Sequence, residues 1–90
     1  MYFLTNKRRT TLYIGVTNNL RRKVAEHRNK INEGFTKRYN VTRLVYYEEF
    51  SSIIKAIKQE KRYKNWHREW KWDLVRKHNP HLVELDPETS

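Results

Sequence analysis

The chain contains no cysteine, and only two glycines and two prolines in 90 residues. Without cysteine there is no disulfide scaffold, no iron–sulfur cluster and no cysteine-based zinc site, and the composition suits a reducing compartment. No apolar run approaches the roughly 18 residues that a membrane-spanning helix requires, and the mean hydropathy is -1.08. The segment 1–9 has too short an apolar stretch, with its charge on the wrong side, for a signal peptide. A cytoplasmic location is the default expectation. Acidic residues are scarce as well: 10 Asp plus Glu stand against 20 Lys plus Arg, a formal net charge of +10. A chain of this length is one domain at most and buries only about 60–65% of its unfolded surface. That excludes a cofactor-binding domain beside a substrate domain. There is no P-loop pattern, no G-x-G-x-x-G, no H-x-x-x-H pair and no serine nucleophile elbow.

What is present argues against disorder. Three Trp, six Tyr and three Phe are more rings than disordered tails carry. A folded domain with a strongly basic surface attracts polyanions, nucleic acid first and acidic lipid headgroups second.

The element order reads β-β-α-β-α-α, without repeats. Tyr2-Phe3-Leu4 and Leu12-Tyr13-Ile14-Gly15-Val16 flank a polar, turn-like stretch and predict a hairpin. A four-residue loop from Asn6 to Arg9 would pair Thr5 with Thr10 and set Tyr2 directly opposite Tyr13, on one face. Thr17-Asn18-Asn19 supplies cap chemistry for a helix whose Leu20, Val24, His27 and Ile31 form one stripe, with Gly34 as its stop. Residues 35–40 read as a basic, aromatic loop, and residues 41–50 as the best strand. Ser51-Ser52 caps a second helix carrying Ile53, Ile54, Ala56 and Ile57, which Asn65 breaks. A third helix with Trp66, Trp70 and Leu74 at spacing four runs to about His78 and is stopped by Pro80. The domain is expected over residues 1–83, with a loose acidic tail over 84–90. The pattern suggests a small antiparallel or mixed sheet with helices packed on it, an α+β fold.

Several residues are candidates for chemistry, each with a plainer reading beside it. Lys23 and His27 are helical neighbours at i and i+4; His27 lies on the apolar stripe and is either a structural histidine or a site residue. Glu60 follows Ile57 by three and Ile53 by seven. This puts a carboxylate on the inward edge of a helix, where it needs a cationic partner or a metal ion. The hairpin tyrosines, taken alone, are packing residues. The Trp66/Trp70 pair with Trp72 reads as helix core and amphipathic surface rather than as a base-stacking platform. The basic run 55–77, with Lys61 and Lys64, and the hairpin tip Lys7-Arg8-Arg9 are solvated faces or phosphate-tracking surfaces, and the net charge leans towards the second.

Taken together the motifs resemble the GIY-YIG nuclease superfamily, in particular its short single-domain members. Tyr13-Ile14-Gly15 follows Tyr2 by eleven residues, a helix with basic residues and His27 comes next, and a later helix carries Glu60. L-Y-I-G-V-T-N-N-L, G-F-T-K-R-Y-N, L-V-Y-Y-E-E-F and a late N-P followed by E-L extend the likeness over nearly the whole chain. The resemblance implies a three-stranded antiparallel sheet flanked by helices, and hydrolysis of phosphodiester bonds with one divalent ion, Mg²⁺ or Mn²⁺. By matching position, Tyr13 would activate the attacking water with Tyr2 beside it, His27 would relay a proton, and Glu60 would bind the metal. Gly15 belongs to the motif, and Asn79 matches a late asparagine. DNA is the expected substrate, RNA less so, with Lys37, Arg38, Lys61 and Lys64 as nucleic-acid contacts, no membrane, and a partner protein as one source of target recognition.

Two positions depart from the family pattern. The first tripeptide is represented only by Met1 and Tyr2. The arginine expected ten residues after Tyr13 is Lys23; Arg22 is adjacent, but one residue is about 100° around a helix. Lysine keeps the charge and loses the bidentate grip on phosphate. The expectation is therefore a metal-dependent endonuclease. Its alternatives are a nucleic-acid-binding module that kept the fold without the chemistry and, behind both, a domain whose basic face meets acidic proteins.

Overall fold

The computed structural model describes residues 1–29 and 39–86. Strands β1 (Tyr2–Thr5), β2 (Leu12–Gly15) and β3 (Arg43–Tyr47) form one antiparallel sheet in the order β2-β1-β3; helices are α1 (Leu20–Arg28), α2 (Ile53–Lys64) and α3 (Arg68–His78). This is the expected α+β architecture and element order. The aromatic and apolar run Tyr2-Phe3-Leu4 explains why β1 is the central strand: every residue of it is buried, and a strand covered on both faces needs apolar side chains on both.

The hairpin register differs from the expected one by two residues. Tyr2 pairs with Gly15, Leu4 with Tyr13, and Thr5 with Leu12. The cause is Asn6. Its Oδ1 accepts from the backbone N–H of Thr10 at 2.9 Å and of Thr11 at 3.2 Å, while its Nδ2 donates to Thr10 Oγ1 at 2.8 Å. The Thr5 hydroxyl donates to the Thr11 carbonyl at 2.7 Å, and Arg9 takes the left-handed conformation, φ 58. These side-chain bonds replace ladder bonds and lengthen the loop. Because the slip is an even number, no side chain changes face: Tyr2 and Tyr13 remain on one side as diagonal neighbours.

The strand expected over 41–50 is limited to β3. Phe3 pairs with Tyr46 and Leu4 with Leu44, so Val45 is the extra residue of a bulge. As a result Val45 and Tyr46 both join Phe3, Ile14, Tyr63, Trp72 and Val75 in the core under α2 and α3. The other face carries Tyr2, Leu4 and Leu44 against Val24 of α1 and Val41.

The caps follow the sequence. Asn19 Oδ1 accepts from the Arg22 N–H at 3.1 Å and Ser52 Oγ from that of Lys55 at 3.2 Å, and Asn65 is the C-cap of α2. Val24 and His27 are buried as expected; Ile31 and Gly34 lie outside the described residues. Two helical faces turn differently from expectation. In α2 the buried residues are Ala56 and Tyr63, while Ile53, Ile54 and Ile57 are exposed. Glu60 nevertheless falls on the inward stripe, one turn from each buried residue. In α3 the buried residues are Trp72 and Val75, and Trp70 faces solvent. A stripe of apolar residues gives the helical period, but where both sides carry rings or isoleucines it does not give the phase.

The start of the expected loose tail is docked. The Leu85 N–H donates to the Leu44 carbonyl at 2.7 Å, and Arg28 pairs with Glu84 at 2.9 Å. Among the described residues no helix is long and apolar enough to cross a membrane.

Candidate active site

Three rings meet on the α1 side of the sheet. Tyr2 comes from the central strand, Tyr13 from the edge strand β2, and His27 from the last turn of α1. Their ring centroids are 6.3 Å (Tyr2–Tyr13), 5.9 Å (Tyr2–His27) and 5.8 Å (Tyr13–His27) apart. The Tyr2 hydroxyl lies 3.2 Å from His27 Nε2. Tyr2 and His27 are sealed from solvent, whereas Tyr13 is half-buried.

Burial sets the protonation of this cluster. It pushes the Tyr2 phenol far above its ordinary value; the neighbouring Tyr13, a hydrogen bond to Tyr13, and the Glu60 and Glu26 carboxylates push it the same way. Burial also lowers His27, and the Lys23 ammonium lowers it further, with Glu26 partly opposing. Tyr2 is thus held as a phenol and His27 as a neutral imidazole near pH 7.

Gly15 is required by space rather than by backbone conformation. The Tyr2 ring crosses β2 directly over it, and a Cβ at this position would stand 2.4 Å from Tyr2 Oη and 2.5 Å from Cζ. The glycine lets the phenol reach the β2 edge. α2 packs along that same strand. There Glu60, only 18% exposed, pairs with Lys64 Nζ at 2.9 Å, and its charge acts on Tyr2. The helix thus carries the acid along the edge strand that also bears Tyr13.

Of the two basic candidates on α1, Lys23 stands nearer the rings. Its charge acts on His27, and it pairs with Glu26 at 3.6 Å with its side chain 34% exposed. Arg22 reaches the other oxygen of Glu26 at 3.9 Å and is 68% exposed, so it points outward. Sequence reasoning overlooked Glu26, although its i+4 and i+3 spacing to Arg22 and Lys23 signals the shared pairing. The Glu60–Lys64 pair has the same i,i+4 signature.

The remaining candidates divide. Lys61 is exposed beside Glu60 on α2, and Lys64 is bound to Glu60. Lys37 and Arg38 lie outside the described residues. Asn79 is not with the rings: its Nδ2 donates to the carbonyls of Val45 at 3.0 Å and Val83 at 2.8 Å, and its Oδ1 accepts from the Val83 N–H at 3.1 Å. Its side chain ties the end of α3 to β3 and to the following turn.

Among the described residues no group of three or more metal-ligating side chains exists. A single carboxylate suits a different kind of ion. Mg²⁺ commonly takes one or two protein carboxylates and keeps several waters, and Glu60 offers one, at a rim where Lys64 would release the oxygen it now holds.

A three-stranded antiparallel sheet with this tyrosine pair and a helix-borne histidine defines a class of catalytic domain. A family model for the GIY-YIG catalytic domain matches residues 1–73, and the chain belongs to that family. Membership carries nuclease chemistry in general, and divalent metals generally serve these nucleases. No curated protein and no solved structure matches the chain.

Proposed function

We propose that the protein is a metal-dependent endonuclease that hydrolyses DNA phosphodiester bonds. The observation that carries this reading is the convergence of Tyr2, Tyr13 and His27 one helical turn from Lys23, with Glu60 on the helix packed along β2. Each residue then has a task. Tyr13 is the half-buried ring that solvent reaches, so its oxygen positions the attacking water and, reacting as the phenolate, takes up the water's proton to become the phenol. Tyr2, kept protonated by burial, donates to Tyr13 and stabilises negative charge on that oxygen. His27, neutral, donates from Nε2 to Tyr2 Oη; a chain from His27 through Tyr2 to Tyr13 uses each proton once. Lys23 neutralises the phosphate, and Arg22 widens the positive rim. Glu60 would hold the divalent ion, which when bound supplies Lewis-acid stabilisation of the phosphoryl and leaving oxygens. The net charge of +10 draws the polyanion to this face, with Lys61 and Lys64 next to the acid.

Nicking of supercoiled plasmid and of branched DNA, with Mg²⁺, with Mn²⁺ and with chelator, tests the reading. Metal-dependent cleavage is expected. Glu60→Gln should lower it by about 10²-fold or more, since an ion contributes several kcal/mol at the transition state, while circular dichroism stays unchanged. Cleavage insensitive to chelator, or a Glu60→Gln variant as fast as the parent, refutes it.

A further inference from the structure

One large aromatic residue has no task in the catalytic cluster. Of the three tryptophans, Trp72 is in the core and Trp66 is half-buried on Tyr63, but Trp70 is 54% exposed. It meets Trp66 at a centroid distance of 6.1 Å and 81°, and His67 at 5.0 Å and 83°. Both contacts are edge-on, so among the described residues no ring lies parallel to it. An indole this exposed, with edge-on ring neighbours, keeps a face open for stacking.

Its surroundings are basic. Lys71, the next residue, donates from Nζ to the Lys64 carbonyl at 3.3 Å, and Lys64 in turn holds Glu60 at 2.9 Å. Arg68 donates to the Thr10 carbonyl, which fastens the start of α3 to the hairpin bearing the exposed Lys7, Arg8 and Arg9. Glu69 and Asp73 are the acids of α3, against Arg68, Lys71, Arg76 and Lys77. The indole is thus carried by a helix whose Arg68 reaches the basic hairpin and whose Lys71 reaches Lys64. An apolar protein surface would gain nothing from those cations. A chain of phosphates with a free base would satisfy both the charges and the ring.

We propose that Trp70 is a stacking post for an unpaired base, and that the protein selects DNA with a single-stranded segment next to the scissile strand. This deepens the nuclease reading and rests on it. A paired base keeps its faces covered by its neighbours and cannot stack on a side chain without being unstacked. An unpaired one can, so the post discriminates by strand state and not by sequence.

The test is binding in chelator at low salt, where nothing is cut. The full chain is titrated with a single-stranded 20-mer and with the blunt duplex of the same sequence, reading intrinsic tryptophan emission. Saturable quenching by the single strand and not by the duplex is expected. Trp70→Ala should abolish the quenching and weaken single-strand binding about tenfold, leaving duplex affinity within about twofold; Trp70→Phe should retain most of the affinity. Equal quenching by both probes, equal losses on both, or unchanged single-strand binding by Trp70→Ala overturns the proposal. Trp70 is exposed, so truncation leaves the core intact, and circular dichroism checks this. Single-strand quenching without any Mg²⁺-dependent cleavage would refute the nuclease reading alone. Cleavage without strand-state preference would refute the stacking post alone.

Discussion

Gly15→Ala is the sharpest probe of how the site is built. The added methyl would stand 2.4 Å from Tyr2 Oη and 2.5 Å from Cζ, well inside contact distance. A flexible side chain would swing aside, but Tyr2 is 1% exposed, and its hydroxyl is held 3.2 Å from His27 Nε2. Either the ring or the β2 backbone must move. Overpacking of this kind costs about 1–3 kcal/mol, and losing the Tyr2–His27 hydrogen bond adds roughly 1 kcal/mol. A total of about 2–4 kcal/mol should lower Tm by about 10–25 °C in a domain of this size. Plasmid nicking should fall with it, because the phenol no longer reaches Tyr13. Calorimetry and a double-mutant cycle with Tyr2→Leu make the cause visible. The shorter side chain vacates the space, so the double variant should be less destabilised than the sum of the singles, by about 0.5–3 kcal/mol. Wild-type Tm and full cleavage in Gly15→Ala, or strict additivity in the cycle, would refute this account of the site.

Other expectations follow from the same geometry. His27 is lowered in the fold, by burial first and then by Lys23, so the unfolded chain binds its proton at higher pH than the native one. Its contribution is fully present above the unfolded value near pH 6.5 and is lost as pH falls below it towards the native value; urea midpoints should drop between pH 7.5 and 5, and His27→Gln should flatten the drop. Lys23→Arg restores a planar, bidentate phosphate donor beside the rings and should raise plasmid nicking several-fold at unchanged Tm; an equal or lower rate would detach Lys23 from the phosphate. Asn79→Ala leaves the Val45 and Val83 carbonyls and the Val83 N–H without their side-chain partner. It should destabilise by about 1–3 kcal/mol in chemical denaturation, and the surviving folded fraction should keep its cleavage rate if the residue only fastens α3 to β3.

The candidate site residues could be named from the chain because their identity and spacing are local facts. The eleven-residue step from Tyr2 to Tyr13, the helical step from Lys23 to His27 and the late Glu60 can all be read along the chain. The hairpin register was not, because the Asn6 side chain takes over bonds that a strand ladder would otherwise make. Nor was the phase of α2 and α3. Ile53, Ile54, Ile57 and Trp70 look like core by type, yet Ala56 and Trp72 are what the sheet receives, and the choice depends on the shape of the opposing surface. Asn79 illustrates the same limit: its partners lie on β3 and on the turn after α3, and nothing in its neighbourhood along the chain names them.

The amino-acid order alone determined the succession of elements, their caps, the positive charge and the family, since these arise from short-range preferences and from side chains that act wherever they are exposed. Only the folded arrangement decided that the imidazole joins the two phenols on one sheet face and that the helix bearing the acid packs along the edge strand. It also decided that Lys23 rather than Arg22 stands nearer the rings. Those outcomes depend on strand pairing, on a bulge at Val45 and on the missing side chain at Gly15, which are settled by contacts between segments distant in sequence.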